Sequence, residues 1–130
     1  MSKKIKIKDL KNPSLTEFQQ AAKDYGETVK LELTAEAVIN KASNDRGLKH
    51  FGSEDFLERL NILMQSISND KGLAGIGKLG IFNDQVRYAE NRLKFEKFKK
   101  EFPQYKNEVI TQPIIIMGLP RSGTTHLLNL

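Results

Sequence analysis

The chain contains no cysteine, which excludes disulfides and thiolate metal sites. It has no apolar run near the ~20 residues that cross a bilayer, so no transmembrane segment is expected. The opening MSKKIKIKDLKN has lysines but no apolar stretch behind them. A secretory signal is not expected there, and a cytoplasmic protein is the default. Internal repeats and low-complexity segments are also missing. What remains is a somewhat polar sequence of 130 residues, 38% hydrophobic and 28% charged, long enough for one ordinary domain.

Net positive charge is scarce outside the first residues. Lys3, Lys4, Lys6, Lys8 and Lys11 against Asp9 place +4 of the net +5 in the first eleven positions. Of 21 basic and 16 acidic groups in all, 16 and 15 remain for the other 119 residues. A basic tail on a nearly neutral body reads as a solvated end, so no nucleic-acid partner is expected.

Most of the sequence before Gln112 reads as helix. Ser14 and Glu17 fit a capping box, which predicts a helix from Ser14 that carries Leu15, Phe18 and Ala22 inward. Thr34 is the expected N-cap of a second helix that fades before Gly47, with Leu33 and Val38 in hydrophobic-staple spacing. Ser53 is the expected cap of a third, with Glu54 and Asp55 in its first turn. Phe56, Leu57, Leu60, Leu63, Met64 and Ile67 give that helix an apolar face at helical spacing. A fourth is predicted from near Asn83 to before Pro103, with Val86, Ala89, Leu93 and Phe98 on its buried side. These stripes read as core rather than cofactor contacts. Gly75, Gly77 and Gly80 match the G-x-G-x-x-G pattern. No strand signal precedes them and no acid follows at the required distance, so a flexible loop between helices is expected there.

The chemical centre is the run PIIIMGLPRSGTTHLLNL, residues 113–130. Continuous apolar residues at 114–117 predict a strand covered on both faces. Gly118, Pro120, Arg121, Ser122 and Gly123 form a turn, and Thr124 and Thr125 open a helix. Strand, glycine-bearing turn and helix N-terminus form an arrangement that holds phosphate or sulfate. The spacing from Gly118 to Gly123 is that of a Walker A loop, but Thr124 stands where the nucleotide-hydrolysing motif has lysine. The charge has moved to Arg121, whose planar fork suits phosphate and sulfate. His126 lies close to the loop and reads as a packing residue, and His50 as a loop residue.

This run closely resembles the 5′-phosphosulfate loop of sulfotransferases that use 3′-phosphoadenosine 5′-phosphosulfate. Its Pro-Arg-Ser-Gly-Thr-Thr form is similar to a bacterial-type branch. Residues 47–60 resemble that branch's Gly-Leu-x-Asp-Phe-Gly segment followed by Phe-Leu-x-x-Leu, with His50 in place of the Asp. Asn91, Arg92, Leu93 and the Pro103 region also fit. The resemblance implies an α/β, P-loop-like sulfotransferase fold. Residues 1–13 are then a basic tail, 14–112 a helical N-terminal region, and 113–130 the start of the α/β domain, so that the sequence is expected to be an N-terminal fragment, inactive alone. It further implies 3′-phosphoadenosine 5′-phosphosulfate as co-substrate, an acceptor hydroxyl or amine, and no metal. Arg121 would lie near the oxygen bridging phosphate and sulfate. Gly118, Pro120, Ser122, Gly123, Thr124 and Thr125 would complete the site around the 5′-phosphate. The alternatives are a P-loop kinase or nucleoside triphosphatase, and a helical interaction module in which the loop is incidental.

Overall fold

The computed structural model describes residues 13–119 and 121–129. Its elements are α1 (Glu17–Thr28), α2 (Ala35–Arg46), α3 (Phe56–Asn69), α4 (Gly75–Glu101), a 3-10 turn (Pro103–Asn107) and a short α5 (Thr124–Leu128).

The capping box of α1 lies two residues later than the Ser14 pattern predicts. The Thr16 hydroxyl accepts the Gln19 N–H at 3.3 Å, and the Gln19 side chain accepts the Thr16 N–H at 2.9 Å. Thr16 and Gln19 satisfy the same rule as Ser14 and Glu17, and theirs is the pair that closes reciprocally. Leu15 and Phe18, expected inside, are exposed, while Ala22 is half-buried and Gly26 buried. The reason is how α1 meets α4. A Cβ on Gly26 would collide with the Ile76 backbone, and one on Gly75 with the Gly26 carbonyl. The helices touch backbone to backbone where only glycine fits. The Glu27 carboxylate accepts the Gly75 N–H at 3.0 Å and secures the junction.

That junction corrects the expected glycine loop. Gly75, Gly77 and Gly80 form the first turns of α4, which starts eight residues before Asn83. Helix α2 follows its sequence signals. The Thr34 hydroxyl accepts the Ala37 N–H at 3.1 Å, and Gly47 ends the helix in the left-handed region at φ 64°. At α3, Ser53 is not the cap. Its hydroxyl accepts the Asp55 N–H at 3.4 Å ahead of the helix, and Glu58, not Glu54 or Asp55, is the acid of the first turn.

The core joins three helices. Val38 and Ala42 of α2, Leu60 and Met64 of α3, and Phe82, Val86, Ala89 and Leu93 of α4 form one buried cluster. Leu33, Leu48, Phe51 and Phe56 pack against its edge. Phe98, expected on the buried side, is exposed, as are Phe95 and Phe102. Tyr88 and Phe95 are seven residues apart and fall on the side of α4 turned away from Val86 and Leu93. No described helix is long and apolar enough to cross a membrane.

The α/β expectation is corrected outright. Residues 113–119 form no regular element, and no strand is present among the described residues. A strand forms only when a neighbour takes its N–H and C=O groups, and here Ile114 is 93% and Met117 85% exposed. The described residues therefore form a helical fold, regular as far as Asn107.

The two faces of α4 separate by mutation. Leu93→Ala, at a fully buried position, should cost about 2–5 kcal/mol. Phe95→Ala should change stability by about 0.5 kcal/mol or less. Urea denaturation followed by far-ultraviolet circular dichroism measures both.

Candidate functional site

The residues expected to hold an anion come together as a tight turn. The Ser122 N–H donates to the Leu119 carbonyl at 3.1 Å. A Cβ on Gly118 would lie 2.5 Å from the Ser122 Oγ and 2.8 Å from the Thr124 methyl, so a larger residue would have to turn those side chains aside. Arg121 has φ 68° and is the one non-glycine residue with positive φ among the described residues. Gly123 follows at φ 88° and precedes α5, whose first hydrogen bond runs from the Leu127 N–H to the Gly123 carbonyl at 3.0 Å. Pro120 lies outside the described residues.

This geometry leaves donors open. No side chain caps α5, and the first amides of a helix have no partner within it. Arg121, Ser122, Gly123 and Thr125 are exposed, and Thr124 is half-buried. Arg121 makes no ion pair among the described residues. A left-handed backbone costs a residue with a Cβ about 1–2 kcal/mol, and strain of this kind clusters at ligand-binding loops. One expectation weakens. With five residues, α5 has little macrodipole to offer, so attraction for an anion rests on the Arg121 charge and the amides of the turn. His126 is exposed on α5. Among the described residues no three His, Asp or Glu side chains gather as metal ligands.

Residues 47–60 and 91–93 look unrelated along the chain but meet in space. Arg92 of α4 donates from Nε to the Phe51 carbonyl and from Nη2 to the Ser53 carbonyl, both at 2.6 Å. Its guanidinium lies 4.3 Å over the Phe56 ring and 3.4 Å from the Asp55 carboxylate. Gly52, at φ 74°, passes so close to Glu96 that a Cβ would lie 2.5 Å from its Oε1. Sequence reasoning missed Arg92 as the residue that fixes this loop. The sequence marks it only through the Asn91-Arg92-Leu93 match and its place one residue before a buried leucine on a helix. His50 is exposed beside the same loop.

Asp55 is the titratable group whose environment moves it clearly. The Ser53 hydroxyl first, then Arg59 and Arg92, hold its carboxyl below the ordinary 3.8, with desolvation opposing them. A lowered pKa favours the folded state in the ionised form. That contribution is fully present above 3.8 and is lost as pH falls through the lowered folded value. Asp55→Asn should therefore lower the urea midpoint at neutral pH and converge with the parent in strong acid. No family model, curated protein or solved structure matches this chain, so its function must be argued from these residues and their geometry.

Proposed function

We propose that residues 118–125 bind the phosphosulfate end of 3′-phosphoadenosine 5′-phosphosulfate, and that the protein acts as a sulfotransferase toward an acceptor hydroxyl or amine. The reading includes a cytoplasmic setting and no metal. Its architecture is the helical one described above. The observation that carries it is Arg121. The arginine is held at φ 68° between Gly118 and Gly123, in the run whose sequence resembles the phosphosulfate loop of that family.

The chemistry follows from charge. As the acceptor oxygen or nitrogen bonds to sulfur and gives up its proton to water, the bond from sulfur to the bridging oxygen breaks, and negative charge gathers on the departing phosphate. Fixed donors at that oxygen lower the barrier. Arg121 supplies a permanent charge but no readily transferable proton, so it stabilises the leaving group rather than protonating it. Ser122, Thr124 and Thr125 offer hydroxyls, and the turn around Gly118 and Gly123 offers amides. In the same reading Pro120 belongs to the co-substrate-binding run. Thr124 disfavours a nucleoside triphosphate, which calls for lysine at that place. The loop is exposed, so the described residues are assigned binding of the co-substrate and not turnover.

Calorimetric titration of the chain with adenosine 3′,5′-bisphosphate tests this. The exposed loop should bind it with Kd of about 1 mM. Arg121→Ala should weaken binding about tenfold, as expected for loss of a charge-assisted contact. Binding of ATP with magnesium in preference to the bisphosphate, or an unchanged Kd in Arg121→Ala, would contradict the proposal.

A further inference from the structure

A groove of about 330 Å³ lies between α3 and α4, away from the phosphosulfate loop in sequence and independent of its reading. Leu60 and Ala89, both buried, form its floor. Phe56 and the exposed ring of Tyr88 line it, and Arg59 and Arg92 supply its charge. The volume falls within the range of small-molecule sites, and an apolar lining with a few polar groups is their usual composition.

The two arginines are held by one carboxylate that is not part of the lining. Asp55 Oδ2 lies 3.2 Å from Arg59 Nη2, and Asp55 Oδ1 lies 3.4 Å from Arg92 Nη2. Arg92 is committed elsewhere, to the Phe51 and Ser53 carbonyls and the Phe56 ring. Arg59 has Asp55 as its one ion-pair partner among the described residues and is 70% exposed. Two guanidinium groups against one carboxylate leave a net positive rim beside an aromatic wall. Asp55 pairs with Arg59 from outside the groove, so it acts as an internal counter-ion with which an anionic head group would compete for Arg59.

We propose that this groove binds a small aromatic monoanion. Its ring lies between Phe56 and Tyr88 over Leu60 and Ala89, and its sulfonate or carboxylate meets Arg59. Arg59 is free to turn toward the ligand because it is exposed and holds one partner among the described residues. Aromatic faces favour a flat ring, and a guanidinium presents a fork to a planar or tetrahedral oxyanion. A neutral ring of the same size gains the apolar contacts alone.

The test is calorimetric titration of the whole chain with 2-naphthalenesulfonate, with neutral 2-naphthol as the control. Saturable binding of the sulfonate is expected below about 1 mM, with the naphthol clearly weaker. Arg59→Ala should weaken the sulfonate about fivefold, and Tyr88→Ala should weaken both probes. Asp55→Asn should tighten the sulfonate about threefold, because a competing exposed ion pair has gone. Should Asp55→Asn fail to fold by circular dichroism, Arg59→Ala and Tyr88→Ala, at exposed positions, carry the test. Equal binding of sulfonate and naphthol, no saturation by the sulfonate, or an Arg59→Ala variant that binds like the parent would overturn the proposal.

Discussion

The burial of Phe82, Val86, Ala89 and Leu93 along one side of α4 is the constraint on which the other elements depend. A helix of 27 residues is about 40 Å long, and this seam is what holds it against α2 and α3. Val38 and Met64, both almost fully buried, meet it from the other two helices. The seam fixes α4, and α4 then fixes the rest. Its first residue receives α1 through Gly26 and Gly75. Its Arg92 ties down the loop from Phe51 to Asp55. Its end leads through Phe102 into the 3-10 turn. Weakening the seam would release all three attachments, because none of them has a core of its own.

The turn around Arg121 stands outside this network. Its shape is set locally, by the close approach of Gly118 to Ser122 and Thr124 and by the left-handed backbone at Arg121 and Gly123. It keeps its own geometry while the other described residues leave it exposed. The charge that would meet an anion is therefore a single exposed guanidinium, screened by water, and the affinity proposed for it is correspondingly low. The Arg59 groove differs in kind. Its charge is backed by an apolar floor that belongs to the seam itself, through Leu60 and Ala89.

Local signals were legible in the sequence wherever a side chain satisfies a backbone group close by. Thr34 and Gly47 delimit α2, and the turn at 118–123 closes where the glycines place it. The apolar spacing of Val86, Ala89 and Leu93 also named the right face of α4. Errors arose where a distant contact decides. Gly75, Gly77 and Gly80 read as a loop because glycine disfavours helix, yet the crossing with α1 requires that no side chain intervene. Phe18 and Phe98 read as core because they are large and apolar, but the packing of α1 and α4 turns them outward. The strand at 114–117 failed for a related reason. A run of isoleucines has strand propensity, and propensity forms no sheet without a partner. Arg92 was invisible as a fastening because its acceptors are backbone carbonyls some forty residues earlier, which no sequence pattern marks.

Amide hydrogen exchange on the whole chain, with and without adenosine 3′,5′-bisphosphate, tests the central claim most directly, since protection reports which segments share the cooperative core. The account predicts the slowest exchange at residues 82–93 and 38–42, and fast exchange at 113–119. It further predicts that the bisphosphate slows exchange at residues 121–126 and leaves the α4 seam unchanged. Strong protection at 114–117 in the free chain would contradict it, because that segment would then be paired in a sheet. So would a response to the bisphosphate confined to the helices.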